Sequence, residues 1–290
     1  MSAMLQRARP HLGTLVEMRV EAPDEACARA AIETAFVEVA AVHARMSFHT
    51  ADSDLSRLHA AHVGTQVEVD ARTLDVLRCA LDLAARSRGC FDPTMAGRLV
   101  ARGFLPPPRS PFVPDARASW RDVELRDGGV RLRRPLWLDL GGIAKGYAVD
   151  RAIGVLLANG ATQALVNAGG DLRVAGPREE IVHLRGAGDA GIAGALALRD
   201  AALASSGGAA TRRYRDGRWT GVHLDARDGS HVGLFSSASV TAPSCMIADA
   251  LTKVVFAAPF ALARGVLAGY GAQAATHATR RGWRVQGRAA

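Results

Sequence analysis

Hydrophobic and polar positions repeat along the chain with two different periods, which predict where strands and helices form. Residues 14–20 alternate between apolar and polar side chains, as a half-buried strand does. Across residues 24–45 the apolar positions between Ile32 and Val42 instead recur at the spacing of one buried helix face. The pattern therefore predicts a strand followed by a long helix at the start of the chain.

Capping residues predict two further helices in the next segment. Asp52 or Ser53 is the predicted N-cap of a short helix, because side-chain oxygens at that position accept from free backbone N–H groups. Residues 66–70 are predicted to form a short strand. Asp70 then caps a helix with a regular apolar stripe, whose end is predicted at Gly89.

Prolines and paired glycines mark the middle of the chain. Residues 103–114 contain so many prolines that neither a regular helix nor a central strand can form there. This connection is the best candidate for a seam between subdomains. Beyond it, residues 121–127 and 130–132 are predicted to form a hairpin that turns at Gly128 and Gly129.

The second half of the chain mixes helices with strands joined by tight turns. The predicted elements are a helix over residues 144–159, a strand–glycine turn–strand unit over 164–176, several weakly signalled strands between 178 and 240, helices over 244–256 and 259–268, and closing strands near 273–285. This mixture is consistent with an α+β protein.

Composition and charge narrow the class of protein. The 290 residues are 49% hydrophobic and 22% charged, which is globular composition and excludes a disordered chain. The formal net charge is +8, yet the arginines are scattered, and no aromatic residues are interleaved with them as a base-stacking surface requires. We therefore expect an arginine-rich surface, with a contribution from anionic ligand binding, and no nucleic-acid partner.

Cysteines and apolar runs argue against a zinc site and a membrane span. The four cysteines form no CxxC pair, and Cys27, Cys79 and Cys245 lie in apolar helical patterns, where cysteine packs as a small core residue. No apolar run is long enough to cross a bilayer. The N-terminal stretch also has no apolar segment of signal-peptide length, so we expect a cytoplasmic location and no transmembrane segment.

Four histidines lie close together in sequence, at His43, His49, His59 and His62. Two of them are three residues apart on a predicted helix, but no carboxylate or cysteine completes a zinc-binding set. We therefore expect surface histidines.

The sequence WLDLGGIAKGYAVDRA, residues 137–152, carries the clearest candidate chemistry. An apolar strand runs into two glycines, and Lys145 stands at the start of the helix that follows. Glycines allow a ligand close to the backbone, and a helix start with a lysine suits an anion such as a phosphate. The motif is neither a Walker loop nor GxGxxG, so a structural turn with a solvated Lys145 is an equal alternative on spacing alone.

Four motifs taken together favour a ligand-binding role for Lys145 over a purely structural turn. FDPT, DLGGIAKGYAVDRA, NAGGDLRVAG and a late DAL on a helix follow one another in this order. This order of motifs resembles that of the ApbE family of FAD:protein FMN transferases. The resemblance extends from about residue 13 to about residue 256. The openings GTLVEMRV and SFHTADSDLSRLH also resemble that family.

The resemblance implies both a fold and an activity. The fold would be a single α+β ApbE-like domain over residues 1–290, two-lobed, with mixed or antiparallel sheets flanked by helices, a ligand cleft between the lobes and a possible seam near 103–114. The activity would be magnesium-dependent transfer of the FMN moiety of FAD to a Thr or Ser hydroxyl of a target flavoprotein, with release of AMP. A periplasmic, membrane-anchored location is the family's alternative to the cytoplasm.

The resemblance also implies which residues bind the flavin nucleotide. The candidate cofactor-binding residues are Ser53, Asp92, Pro93, Thr94, Gly141, Gly142, Ile143, Lys145, Asn167, Gly169, Gly170, Asp171, Ser205 and Ser206. The candidate catalytic residues are Asp249, Lys145 and His223. In this assignment Lys145 acts as a fixed positive charge on the phosphates of FAD.

The implied magnesium site contains a departure from the family pattern. Asp249 matches the family's metal carboxylate, and Thr252 and the Ala144 carbonyl are the other candidate ligands. The family usually has a hydroxyl residue four positions after the aspartate, where this chain has Lys253. Either Thr252 reaches the ion from the same helix face, or the Lys253 ammonium pairs with Asp249 and takes the metal's place. We expect magnesium binding through Asp249 that is weaker than in typical members.

A second departure concerns the histidine. The family commonly has two histidines before a segment that matches Asp225, Arg227 and Gly229 here, and alignment on Asp225 puts Gly221 and Val222 in their places. His223 is displaced by one position, and successive strand residues point to opposite faces. A solvent-facing His223 is therefore the alternative to a catalytic one.

Two other functions remain open on the sequence. Water could replace the protein hydroxyl at the same site, which would make the chain an FAD pyrophosphatase that yields FMN and AMP. A non-catalytic flavin-binding relative is the other possibility, and Lys253 and the displaced His223 favour it.

Overall fold

The computed structural model of the protein describes residues 2–188, 191–208, 211–215, 217–278 and 282–286. The helices in these ranges are α1 (Glu25–Met46), α2 (Asp54–Ala60), α3 (Ala71–Arg86), α4 (Ala96–Ala101), α5 (Ala144–Ala158), α6 (Cys245–Ala257) and α7 (Phe260–Gly269). The strands are β1 (Ala3–His11), β2 (Thr14–Ala22), β3 (Gln66–Glu68), β4 (Val123–Arg126), β5 (Gly129–Leu132), β6 (Gln163–Ala168), β7 (Asp171–Ala175), β8 (Glu180–Arg185), β9 (Ile192–Leu198), β10 (Ala201–Gly207), β11 (Arg213–Arg215), β12 (Arg218–Thr220), β13 (Ser236–Ala242), β14 (Gln273–Ala278) and β15 (Gly282–Gln286).

One large antiparallel sheet organises the molecule. Its strands follow the order β1-β2-β6-β7-β10-β13-β14-β15. Smaller antiparallel sheets are formed by β3-β5-β4, by β8 with β9 and by β11 with β12. This mixture of helices with antiparallel sheets confirms the predicted α+β class.

Two apolar cores meet at helix α5. Ile32 of α1 and Ile153 of α5 belong to a core that they share with Val16 and other residues of β2 and β6. Ala148, one turn earlier in α5, instead belongs to a core built with α3, α6 and the three-stranded sheet. Burial of apolar side chains on both sides therefore fixes the start of α5, where Lys145 stands.

The glycine turn between β6 and β7 is formed as the sequence predicts. Gly169 and Gly170 have φ angles of 67° and 104°, which side-chain-bearing residues rarely adopt. The side-chain oxygen of Asn167 accepts from the backbone N–H of Gly170 at 3.0 Å and closes the turn. The turn places Asp171, the first residue of β7, next to α5.

Helices α5 and α6 lie in contact at Gly146. A methyl group at this position would lie 2.6 Å from the carbonyl carbon of Cys245 and 2.8 Å from the Cα of Met246. Only a glycine allows so close an approach. The contact brings Asp249, one turn into α6, within reach of the first turn of α5.

The described chain agrees with most predicted elements. The helices predicted over residues 24–45, 144–159 and 244–256 correspond to α1, α5 and α6 within one or two residues, and Ser53, not Asp52, is the N-cap of α2. Of the predicted closing strands near 273–285, residues 279–281 lie outside the described residues. The two-lobed division and the seam stay predictions.

Two features differ from the sequence-based expectations. Strand β1 was not predicted, because it is an edge strand with little regular burial, and its pairing with β2 defines it. The expectation of surface histidines is wrong for His59, whose side chain is fully buried. Its Nε2 accepts from the backbone N–H of Leu138 at 2.9 Å, so His59 links two distant segments.

No helix in the described ranges combines the length and the apolar character that a bilayer span requires.

Candidate functional site

A cavity of about 640 Å³ lies in front of the first turn of α5, with a volume in the range of ligand-binding clefts. Its apolar wall comes from distant segments and includes Met46, Phe48, Phe91, Met95, Leu99 and Leu105. Its polar wall includes His49, Asp92, Asp139, Lys145, Ser206, His223 and Lys253. The cavity therefore offers an apolar surface suited to ring systems and a charged surface suited to an anion.

The structure brings part of the predicted site together in this cavity. Seven of the predicted residues line it: Asp92, Gly141, Gly142, Ala144, Lys145, Ser206 and His223. Among the described residues, the other predicted positions do not line it, and these are Ser53, Pro93, Thr94, Ile143, Asn167, Gly169, Gly170, Asp171, Ser205, Asp249 and Thr252. Several of the predicted residues that do not line the cavity hold the lining residues in place.

Ser53 supports the cavity wall from behind. Its side chain is fully buried and accepts from the backbone N–H of Ser56 as the N-cap of α2. The Ser56 hydroxyl in turn donates to the carbonyl of Thr50 at 2.7 Å, and Thr50 lines the cavity. The structure thus gives Ser53 a positioning contact instead of direct access to a ligand.

The FDPT segment positions Asp92. The Thr94 hydroxyl and the backbone N–H of Thr94 both donate to Oδ1 of Asp92, at 2.7 and 2.8 Å. Pro93 contributes its carbonyl, which accepts from the N–H of Asp139 at 2.8 Å. Burial raises the pKa of Asp92 above its usual range, against these hydrogen bonds.

Three other predicted residues have contacts away from the cavity. Ile143 is fully buried in the core at the start of α5. Ser205 pairs its hydroxyl with that of Ser239 on the neighbouring strand at 2.9 Å. Asn167 closes the β6–β7 turn. The turn glycines and Ser205 therefore shape the sheet beneath the site.

Two lysines form the floor of the cavity, and two buried carboxylates lie behind them. The Lys145 ammonium forms an ion pair with Asp171 and lies 3.7 Å from Oδ2 of Asp249. The Lys253 ammonium forms an ion pair with Oδ1 of Asp249. Asp249 is fully buried, and its Oδ2 also accepts from the backbone N–H of Gly146 at 3.3 Å. Both lysines reach the cavity, while both carboxylates lie behind them.

Burial and mutual contacts shift the pKa values of this cluster. Burial and then the neighbouring Asp249 raise the pKa of Asp171 to about 6, against the attraction of Lys145. Burial also acts to raise the pKa of Asp249, but Lys145 and Lys253 outweigh it and hold that pKa below its usual value. Burial lowers the pKa of Lys145, yet Asp249 and Asp171 more than reverse this and raise it. Lys145 is therefore a permanent cation.

His223 faces the cavity, contrary to the solvent-facing alternative. Val222, His223 and Leu224 all line it. Residues 221–223 lie between the end of β12 and the isolated bridge at Leu224 and do not form a strand, so their side chains do not alternate between two faces. The His223 ring packs against Phe256, with centroids 5.3 Å apart. Burial, followed by the nearby Lys253, lowers the pKa of His223 to about 4, so the imidazole is neutral at pH 7.

The groups around Asp249 do not fit a divalent cation as they stand. Mg²⁺ requires about six oxygen ligands in near-octahedral geometry. The Lys253 ammonium instead binds the carboxylate of Asp249 and, at 3.0 Å, its main-chain carbonyl. The Thr252 hydroxyl donates to the same carbonyl at 2.7 Å. Within the described ranges, no three His, Cys, Asp or Glu side chains are placed to hold a metal ion.

Sequence reasoning missed Asp139 as a cavity residue. It lines the cavity, and its Oδ1 accepts from the N–H of Gly141 at 2.9 Å. Burial raises the pKa of Asp139, against the Gly141 hydrogen bond and Lys253. Asp139 was visible in the motif, two residues before the paired glycines, but no local signal distinguished a cavity carboxylate from a turn residue. The apolar wall of the cavity could not be predicted from local sequence either, because residues such as Phe48 and Phe91 lie far apart in sequence.

Sequence comparison relates the chain to known proteins. The sequence model of the ApbE family matches residues 12–275. The chain is 32% identical over 254 residues to an FAD:protein FMN transferase of Rhodobacter capsulatus, across 82% of this chain and 48% of that relative. It thus spans about half the length of that relative. It is 29% identical over 282 residues to the FAD:protein FMN transferase of Treponema pallidum, across 86% of this chain and 77% of the relative.

Solved structures show the same fold. The ApbE protein of Thermotoga maritima superposes with a TM-score of 0.80 at 24% identity, over 98% of this chain and 97% of that one. The apo form of the Pseudomonas stutzeri flavinyl transferase ApbE superposes with a TM-score of 0.81 at 20% identity, over 100% of this chain and 98% of that one. The likeness extends over the whole architecture.

Proposed function

Because the chain belongs to the ApbE family, we propose that it transfers the FMN moiety of FAD to a Thr or Ser hydroxyl of an acceptor flavoprotein and releases AMP. The observation that carries the proposal is the floor of the cavity, where Lys145 and Lys253 both face the ligand space. Relatives named for this activity align with most of the chain.

The two ammonium groups would bind the diphosphate of FAD. The diphosphate carries negative charge, and a lysine supplies a compact positive charge with three donors. Each ammonium is held by a buried carboxylate, Lys145 by Asp171 and Lys253 by Asp249. A site whose charges are fixed before the ligand arrives loses little to reorganisation when the reaction occurs.

The apolar wall would hold the rings of the nucleotide. Phe48, Phe91 and Met95 offer aromatic and sulfur-containing surfaces at the cavity. Gly141 and Gly142 line the cavity directly before α5, and the helix start that follows them suits an anion such as a phosphate. Ser206 and Asp92 are among the other polar groups that the ligand would meet.

The transfer itself breaks one phosphoanhydride bond. The acceptor oxygen attacks the FMN-side phosphorus, the bond from that phosphorus to the bridging oxygen breaks, and the bridging oxygen leaves with AMP. Lys145 and Lys253 stabilise the negative charge that develops on the phosphate oxygens. His223 lines the cavity and is neutral at pH 7, and it would accept the hydroxyl proton. None of these steps is assigned to magnesium, because the donors around Asp249 are bound to an ammonium.

Incubation of the protein with FAD and a peptide that contains an acceptor Thr tests the proposal. We expect the peptide to gain the mass of FMN less one water, with one AMP released per labelled peptide, as read by mass spectrometry of peptide and nucleotide. The matched control is the same peptide with Thr replaced by Val, which has no hydroxyl and stays unlabelled.

The other outcomes identify the alternatives. Free FMN and AMP without labelled peptide would indicate an FAD pyrophosphatase and contradict transfer. FAD bound without AMP release, across a series of candidate acceptor peptides, would indicate a non-catalytic flavin-binding protein.

A further inference from the structure

The chain uses lysine only at this site. Of its 36 Lys and Arg residues, Lys145 and Lys253 are the sole lysines in the sequence. Both side chains lie within 4 Å of the Asp249 carboxylate, and both line the cavity. Arginine serves every other cationic position, whether exposed or in an ion pair. A lysine differs from arginine in presenting one compact charge, which fits where a planar guanidinium does not.

Lys253 occupies the oxygens that a metal ion would need. Its ammonium binds Oδ1 and the main-chain carbonyl of Asp249, one residue four positions earlier in α6. The Thr252 hydroxyl is also engaged, since it donates to that carbonyl and pairs with the Ser206 hydroxyl at 2.8 Å. The fully buried Asp249 therefore already has its counter-ions within the protein.

The neighbouring backbone makes room for this lysine. A methyl group at Gly142 would lie 3.2 Å from Cε and 3.7 Å from Cδ of Lys253. Because Gly142 has no side chain, the Lys253 stem can pass close to the backbone of the turn that precedes α5. The Gly142 backbone and Asp249 of α6 therefore hold the lysine side chain on the cavity floor.

We propose that Lys253 is the resident cation of this site and takes the place of a divalent metal, so that FAD binds without added metal. This inference rests on the proposed function in taking FAD as the ligand. Its consequence is that Lys253→Thr vacates the oxygens of Asp249 and adds a hydroxyl beside them, which creates a site for Mg²⁺.

FAD affinity, measured by calorimetry in EDTA and again in millimolar magnesium, tests the inference. For the unmodified protein we expect dissociation constants that agree within about twofold between the two conditions. For Lys253→Thr we expect binding at least about tenfold weaker in EDTA and restored by magnesium. Lys253→Met, which lacks both the charge and the oxygen, is expected to bind weakly in both conditions.

Thermal melting without FAD gives a second readout. Magnesium is expected to raise the melting temperature of Lys253→Thr, because a ligand that binds only the folded state stabilises it, and to leave the unmodified protein unchanged. Arg264→Thr removes an equal charge from the exposed face of α7 and serves as the control, with FAD binding unaffected.

Two results would overturn the inference. One is a gain of about tenfold or more in FAD affinity of the unmodified protein on adding magnesium. The other is Lys253→Thr binding FAD in EDTA as tightly as the unmodified protein. The first measurement needs no variant, so it decides the matter even if the substitutions fail to fold. Metal-independent FAD binding without AMP release would contradict the proposed transferase activity and leave this inference intact.

Discussion

Lys145→Met is expected to slow FAD cleavage by about 10²–10³-fold, the cost of removing one preorganised charge from a phosphoryl transition state. Methionine retains the length of the lysine stem, so the change removes the charge with little loss of packing. Lys145 faces the cavity and its pKa is raised by Asp249 and Asp171, so the charge is present at every working pH. AMP release in a single turnover measures the effect.

The loss of Lys145 also leaves Asp171 without its ammonium partner. We expect the pKa of Asp171, already about 6, to rise further, so that the carboxyl is neutral at pH 7 and the fold survives. The control is Arg151→Met on the same helix, which loses an ion pair with Glu38 outside the cavity. FAD cleavage by Lys145→Met within about threefold of the Arg151→Met rate would contradict a role for Lys145 in the transition state.

Gly146→Ala is expected to have the largest effect on stability, because the new methyl group would meet the backbone of α6 and not a flexible side chain. Such overpacking commonly destabilises a protein by about 1–3 kcal/mol, and here α5 and α6 must separate to relieve it. The separation would also lengthen the contacts that Asp249 makes with Gly146 N and Lys145. Urea unfolding monitored by circular dichroism measures the change in the free energy of unfolding.

The same helix offers a matched control. Gly154→Ala places its methyl group where no atom beyond the adjoining backbone of its own helix lies within 4 Å, and alanine favours a helix over glycine by about 0.5–1 kcal/mol. We expect this variant to be as stable as the unmodified protein or more so. If both substitutions shifted the unfolding midpoint equally, the close helix contact at Gly146 would not be the cause.

Local signals in the sequence were sufficient for the elements that carry the site. The start of α5, the glycine turn before β7 and helix α6 all follow from residues within a few positions of each other. Lys253 and Asp249, four residues apart on one helix, could be recognised as neighbours from spacing alone. The sequence left two outcomes for that pair, and the structure shows the ion pair.

Features that depend on distant contacts could not be predicted. The burial of His59 requires the segment at Leu138, and strand β1 exists through its pairing with β2. The orientation of His223 could not be predicted, because residues 221–223 do not form the strand that the sequence analysis assumed. Phe48 and Phe91 meet at the cavity only after folding. No periodicity or motif encodes such contacts locally.

The central claim is that Lys145 and Lys253 together hold the diphosphate of FAD at the floor of one cavity. A crystal structure of the protein with FAD, grown with magnesium present, tests it most directly. We expect diphosphate oxygens within about 4 Å of both ammonium nitrogens, an ion-pairing distance, and the Lys253 ammonium still bound to Asp249. A diphosphate outside this cavity, or a metal ion on Asp249 with Lys253 displaced, would contradict the account.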